Sequence, residues 1–375
     1  MRERFVRFVA PLILLVMVAA ACGNDEDDPG ASGATGDTGT TGATAATGPE
    51  CNADIKVGIA FDVGGLGDKS FNDAANAGVL QAIEDGLVCE ENVVTNEANA
   101  SGSDRTQNVQ ALADAGFSLV VGVGFAFSPD INTIAPDYPD TSFMIVDGYA
   151  TCGTVCGLDN DDLANVADFT FKEQEGSFLV GAAAALKCEC DTIGFLGGQT
   201  GPLIQKFEAG YTAGAMAVNP SMDVKVSYIG DDVGAFNDPV KGESLSTKMY
   251  DDGAEIVYHA AGASGGGLFN AAVKAGKLAI GVDSDQYLTA SPEQQPLILT
   301  SMLKRVDTAV YNAIEQVGSA SFAPGATVFG LAEEGLDFST SNTAELTQDI
   351  IDQLEEFRTQ IIAGDIVPPE DPTKV

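Results

Sequence analysis

Apolar strands alternate with helical segments from Ile55 to about residue 363, and most strands end on glycine or aspartate. These two patterns predict an α/β protein with parallel sheets covered on both faces. Of the 375 residues, about 325 follow a leader and a low-complexity stretch, too many for one core and enough for two. The expected architecture is therefore two Rossmann-like lobes joined by a three-crossing hinge, with a cleft between them.

The first unit sets the pattern. Ile55, Val57, Ile59 and Phe61 alternate and stop at Asp62, as a buried strand does at its carboxyl end. Gly64, Gly65 and Gly67 allow tight backbone turns, and Asp68 or Ser70 can cap a helix carrying Ala74, Ala77 and Gly78 on one face. A P-loop would need glycine where Asp68 stands, and a dinucleotide fingerprint would need glycine at Ser70. Both are excluded. In an open α/β sheet ligands sit beyond the carboxyl ends of the strands, which is where Asp62 and Phe71 fall.

Further strands are expected at 119–123, 143–146, 192–196, 224–229, 256–258, 278–282 and 298–300. Helices are expected at about 72–85, 105–115, 173–187, 202–218, 240–252, 265–275, 302–317 and 344–362. Crossings between lobes are expected near 158–163, just after Asp283-Ser-Asp-Gln286, and near 324–331. The N-terminal lobe then comprises 51–160 and 286–326, the C-terminal lobe 161–285 and 327–363, and 364–375 form a tail.

Arg2, Arg4 and Arg7 precede an apolar run over 8–18 that ends in Ala19-Ala-Ala-Cys22. This reads as a secretory signal over 1–21, with Cys22 as the lipidated residue of a bacterial lipoprotein, although Ala19 stands where leucine is usual. Residues 22–50 then form a tether rich in Gly, Ala and Thr with a reach of about 30 Å. Cutting away 1–21, with its three arginines and one glutamate, takes the formal charge from −37 to −39. Such a surface disfavours nucleic acid and anionic lipid.

Six cysteines remain after Cys22, an even number in an exported chain, which argues for disulfides. Cys51 precedes the first strand and Cys89 follows the first helix, at the same end of the sheet, so these two are expected to pair. Cys152, Cys156, Cys188 and Cys190 can close locally or cross-pair. The single histidine, His259, follows an apolar strand and suits a core position. One histidine and no Cys-x-x-Cys pair argue against a metal centre, and no cofactor is expected.

Eight segments, in order, resemble the basic membrane protein family of substrate-binding lipoproteins, often purine nucleoside receptors of ABC importers. They are 62–72 (Asp-Val-Gly-Gly-Leu-Gly-Asp-Lys-Ser-Phe-Asn), 121–125 (Val-Gly-Val-Gly-Phe), 171–181 (Phe-Lys-Glu-Gln-Glu-Gly-Ser-Phe-Leu-Val-Gly), and 193–198 (Ile-Gly-Phe-Leu-Gly-Gly) leading to 207–214. The others are 235–239 (Ala-Phe-Asn-Asp-Pro), 259–262 (His-Ala-Ala-Gly), 280–286 (Ile-Gly-Val-Asp-Ser-Asp-Gln) and 299–306 (Leu-Thr-Ser-Met-Leu-Lys-Arg-Val). The resemblance implies the type I periplasmic-binding-protein fold and a monomer that passes its ligand to a permease driven by a separate ATPase.

It also implies a site. Phe71 and Phe236, one per lobe, match the rings that sandwich a base, and Asp147 matches the acid at the base edge. Asp283, Gly262 and Lys304 match the groups that hold the ribose, with Asp285 the alternative to Asp283. Asp62 matches a polar group at the cleft mouth, while Asp68, Lys69 and Asn72 suit capping. An enzyme on the same body would need a nucleophile–base pair, a nucleophile elbow or a metal cluster, and none is recognisable. A tethered sensor or surface protein without transport is the remaining alternative.

Overall fold

The computed structural model describes residues 51–161 and 163–375. The expected signal peptide, the Cys22 anchor and the tether lie outside these residues. In chain order the elements are β1 (Val57–Phe61), α1 (Phe71–Glu84), β2 (Val93–Glu97), α2 (Arg105–Asp114), β3 (Leu119–Val123), α3 (Ser128–Ile134), β4 (Ser142–Val146), β5 (Val166–Phe171) and α4 (Glu173–Lys187). Next come β6 (Thr192–Gln199), α5 (Pro202–Val218), β7 (Asp223–Gly230), α6 (Pro239–Asp251), β8 (Ile256–Ala260), α7 (Gly265–Ala275) and β9 (Leu278–Asp283). The last are α8 (Gln286–Thr289), β10 (Ile298–Lys304), α9 (Val306–Gly318), β11 (Gly325–Phe329), β12 (Leu336–Phe338) and α10 (Gln348–Ala363).

The strands form two sheets of six, ordered β11-β5-β4-β3-β1-β2 and β12-β10-β9-β8-β6-β7. The assigned pairings are parallel except that of β10 with β12. β1, β3, β5 and β8 are buried along their whole length; β1 and β3 accordingly run apolar on both faces, whereas β5 buries Asp168 and Thr170 and β8 buries His259. Helices approach closely where glycine permits it. A Cβ at Gly78 of α1 would lie 2.2 Å from the Asp307 carbonyl of α9. Cβ atoms at Gly181 and Gly214 would lie 2.0 and 1.9 Å from backbone oxygens across the α4–α5 contact. Of the expected α1 face, Ala74 and Gly78 are buried, but Ala77 is exposed and Ala75 takes its place.

The lobe boundaries differ from those expected. β5 lies beside β4 in the first sheet, so the chain leaves that sheet only after Phe171, not near 160. Likewise β10 belongs to the second sheet, and the return comes after Lys304, where α9 packs on α1, not after residue 285. The third passage lies between β11 and β12. Each sheet takes one more strand before the chain crosses. Residues 364–375 do not project as a tail: their end packs on α5, and Gln174 donates to Glu370 at 3.3 Å.

In the structure Cys51 is joined to Cys89, Cys152 to Cys156 and Cys188 to Cys190. No helix among the described residues is long and apolar enough to cross a membrane.

Candidate ligand-binding cleft

Each strand order reverses once, between β1 and β3 in the first sheet and between β6 and β8 in the second. These switch points open crevices at the carboxyl ends of the strands. A cleft lies there, lined from both lobes, whose empty space counted out into open solvent is about 630 Å³. All seven residues singled out from the sequence, Asp62, Phe71, Asp147, Phe236, Gly262, Asp283 and Lys304, line it.

On the first lobe, the loop after β1 is organised by carboxylates. Asp68 accepts from the backbone N–H groups of Ser70 and Asn72, both at 2.9 Å, and of Asp73 at 3.1 Å, which caps α1. Asp73 accepts from the N–H groups of Gly67 and Lys69. The Ser70 hydroxyl is thereby released from capping, and Phe71 starts the helix at the cavity wall. Asp62 is not a free acid. Burial raises its carboxyl above the usual range, and Arg105, donating from Nε at 2.7 Å, offsets part of that rise. Arg105 is missed by sequence reasoning, although only two other arginines follow the leader.

Asp147 directly follows β4 and Asp283 ends β9, strands at the same positions in the two sheet orders, and both are buried. Both have left-handed backbone, with φ of 63° and 66°. Such conformations in residues other than glycine are strained and concentrate at functional sites. Burial pushes the Asp283 carboxyl up to about 7, while Lys304 and a bond donated by Ser70 across the cleft pull it back. Burial likewise pushes Asp147 up to about 6, with Lys304 opposing. One Asp147 oxygen, Oδ1, is buried with no hydrogen-bond partner among the described residues. Asp285 instead accepts from Ser341 and does not line the cavity, so Asp283 is the acid at this strand end that faces it.

Lys304, at the end of β10, is only 2 % exposed. It donates to Asp147 and, at 3.0 Å, to Glu173 Oε1, and its ammonium lies 4.9 to 5.5 Å from the ring centres of Phe171, Phe207 and Phe71. Burial would depress this ammonium, but Asp147, Glu173 and Asp283 outweigh that and hold it above the usual lysine range. The sequence reading put Asp147 at the base edge and Lys304 at the sugar. In the structure the two form one ion pair.

Phe236 sits in the turn Val233–Asn237 with its ring against glycine backbone: a Cβ at Gly198 would lie 2.4 Å from the ring. Gly262, at φ 54°, keeps its backbone against the same residue. The Phe236 ring meets Phe125 of the first lobe edge-on at 6.4 Å. Phe125 and Phe207 also line the cavity. Both stood inside matched segments without being assigned a role. His259 is a core residue: it bonds Gln286 at 2.9 Å, and burial lowers it to about 4, so it is neutral at pH 7.

Residues 55–371 match the Bmp family, described as ABC transporter substrate-binding protein PnrA-like. The chain belongs to that family. It is 31% identical to the CD4+ T-cell-stimulating antigen of Listeria innocua over 99% of both chains. It is also 31% identical to the ABC transporter nucleoside-binding protein BmpA of Lactococcus lactis over 84% of this chain and 89% of that one. Among solved structures, an ABC transporter solute-binding protein of Aeropyrum pernix superposes with a TM-score of 0.70 at 29% identity, covering 84% of this chain and 94% of that one. The fold is the two-lobed α/β arrangement of the type I periplasmic binding proteins. As a Bmp protein, the chain is a substrate-binding component rather than an enzyme, which implies a small-molecule ligand and a permease with its ATPase.

Proposed function

We propose that the protein captures a nucleoside, a purine nucleoside by preference, between its lobes outside the cell and delivers it to a membrane permease. The observation that carries this reading is the cavity itself: aromatic rings from both lobes together with buried acceptors at Asp147 and Asp283. Aromatic walls suit a flat base, each stacked pair adding about 0.5–1.5 kcal/mol beyond buried area. Buried acceptors suit N–H and hydroxyl donors, and a ligand lacking them would leave these groups unpaired. The nucleoside-binding relative from Lactococcus lactis supports the same class. Closure of the lobes over the ligand is the working motion for this architecture. A lipid anchor on Cys22 would hold the protein at the outer face of the cytoplasmic membrane, and a single copy suffices for capture.

A thermal-shift screen of nucleosides, free bases and pentoses tests the reading. A ligand at a hundred times its dissociation constant stabilises by about 2.7 kcal/mol. Nucleosides should give the largest shifts. Stabilisation by a pentose or polyol alone would overturn the assignment.

A further inference from the structure

Beneath the cleft lie charges that the ligand reading leaves unused. Glu173, the first residue of α4, is wholly buried and does not line the cavity. Its Oε1 accepts from Lys304 at 3.0 Å and its Oε2 from Lys206 of α5 at 3.2 Å. Lys206 also donates to the Phe171 carbonyl at 3.2 Å, at the end of β5. Glu173 therefore stands just past the first crossing and Lys304 just before the second, and their ion pair ties the two hinge strands together.

The rings around the Lys304 ammonium favour a cation but do not direct its N–H bonds. Direction comes from the two carboxylates, Asp147 on the ligand side and Glu173 behind. We propose that Glu173 is a positioning residue of the cleft: from outside the cavity it fixes the Lys304 ammonium against Asp147 and so governs the carboxylate offered to a ligand. This rests on the cleft being the binding site.

The charged groups acting on Asp147 come from several elements. Glu173 of α4 disfavours its charge, and Lys304 of β10 and Lys206 of α5 favour it. Asp283 at the end of β9 favours the Lys304 charge, and its own charge is disfavoured by Asp147 and Asp68. Neutralising Glu173 should thus make Asp147 more acidic, and neutralising Lys206 should make it less so. These signs follow from charge alone, so the positioning role is read in the ligand affinity and in its recovery by the shorter carboxylate.

The test is carboxyl-carbon NMR of the ligand-free full chain in detergent with labelled aspartate, the Asp147 signal being identified by its loss in Asp147→Asn. The midpoint should fall by about one pH unit in Glu173→Gln and rise by a similar amount in Lys206→Met. Nucleoside affinity at pH 7.5 should drop about tenfold in Glu173→Gln, the loss expected for a bond to a charged group, with partial recovery in Glu173→Asp. Midpoints that stay put or move in the same direction in folded variants would overturn the proposal. If Glu173→Gln does not fold, Lys206→Met decides by itself: an unchanged or lowered midpoint refutes it. Should the wild type bind no nucleoside, the ligand reading fails while the ligand-free midpoints still decide whether Glu173 governs Asp147.

Discussion

Replacing Phe236 by alanine removes a ring that borders the cavity, touches Phe125 at 6.4 Å and rests on the backbone of Gly198. The loss has two parts. Stacking on a base is worth about 0.5–1.5 kcal/mol, and roughly 40 Å² of apolar contact at 25 cal/mol/Å² adds about 1 kcal/mol. The expected total of about 1.5–2.5 kcal/mol is roughly a 13- to 70-fold rise in Kd. Because the ring is only partly buried and lies over the backbone of Gly198, the fold should survive the change. Gly198→Ala is the companion variant: it keeps the ring but forces it off its seat, since the new Cβ would lie 2.4 Å from Phe236. Calorimetric titration with a purine nucleoside, with unfolding checked in parallel, should show both variants weakened. Undiminished affinity in both, with the fold intact, would place the ligand away from Phe236 and refute the aromatic-wall argument.

Lys304→Met should destabilise the protein by about 3–5 kcal/mol in denaturant unfolding, because Asp147 and Glu173 would be left buried without their shared cation; a change below 1 kcal/mol would mean that the cluster is not ionised as described. Replacing Cys51 and Cys89 by alanine should cost about 4 kcal/mol, from the loop entropy of a sequence separation of 38, and far more than breaking Cys188–Cys190, whose separation is 2. Finding Cys51 and Cys89 as free thiols in exported protein by non-reducing peptide mapping would remove that bond. Cys22→Ser should release the protein to the medium or leave it unprocessed in the membrane, and unchanged lipid labelling in this variant would contradict the lipoprotein reading.

Much of the lining of the candidate cleft was legible because apolar runs stop where buried strands end. Asp62, Asp147 and Asp283 each follow such a run, and all three line one cavity. The rings and Lys304 came from the family segments, which carry pattern but not partners. Partners were therefore what the sequence hid. Arg105 meets Asp62 across 43 positions, from a helix whose composition reads as surface. Glu173 looks like an ordinary acid in a first helical turn, yet it is buried between two lysines. β5 escaped because Asp168 and Thr170 interrupt its apolar run; Asp168 is buried, accepting from the N–H groups of Ala150 and Thr151. β2 escaped as a polar edge strand. Missing β5 displaced the first crossing, and ending the β10 strand too early displaced the second.

The most direct test of the central claim is calorimetric titration of the purified protein with a matched set: a purine nucleoside, its free base, and ribose. A cleft that uses rings for the base and buried carboxylates for donors on both parts should bind the nucleoside at least a hundredfold more tightly than either fragment. Tight ribose binding with no response to the nucleoside, or equal affinity for nucleoside and base, would contradict the account.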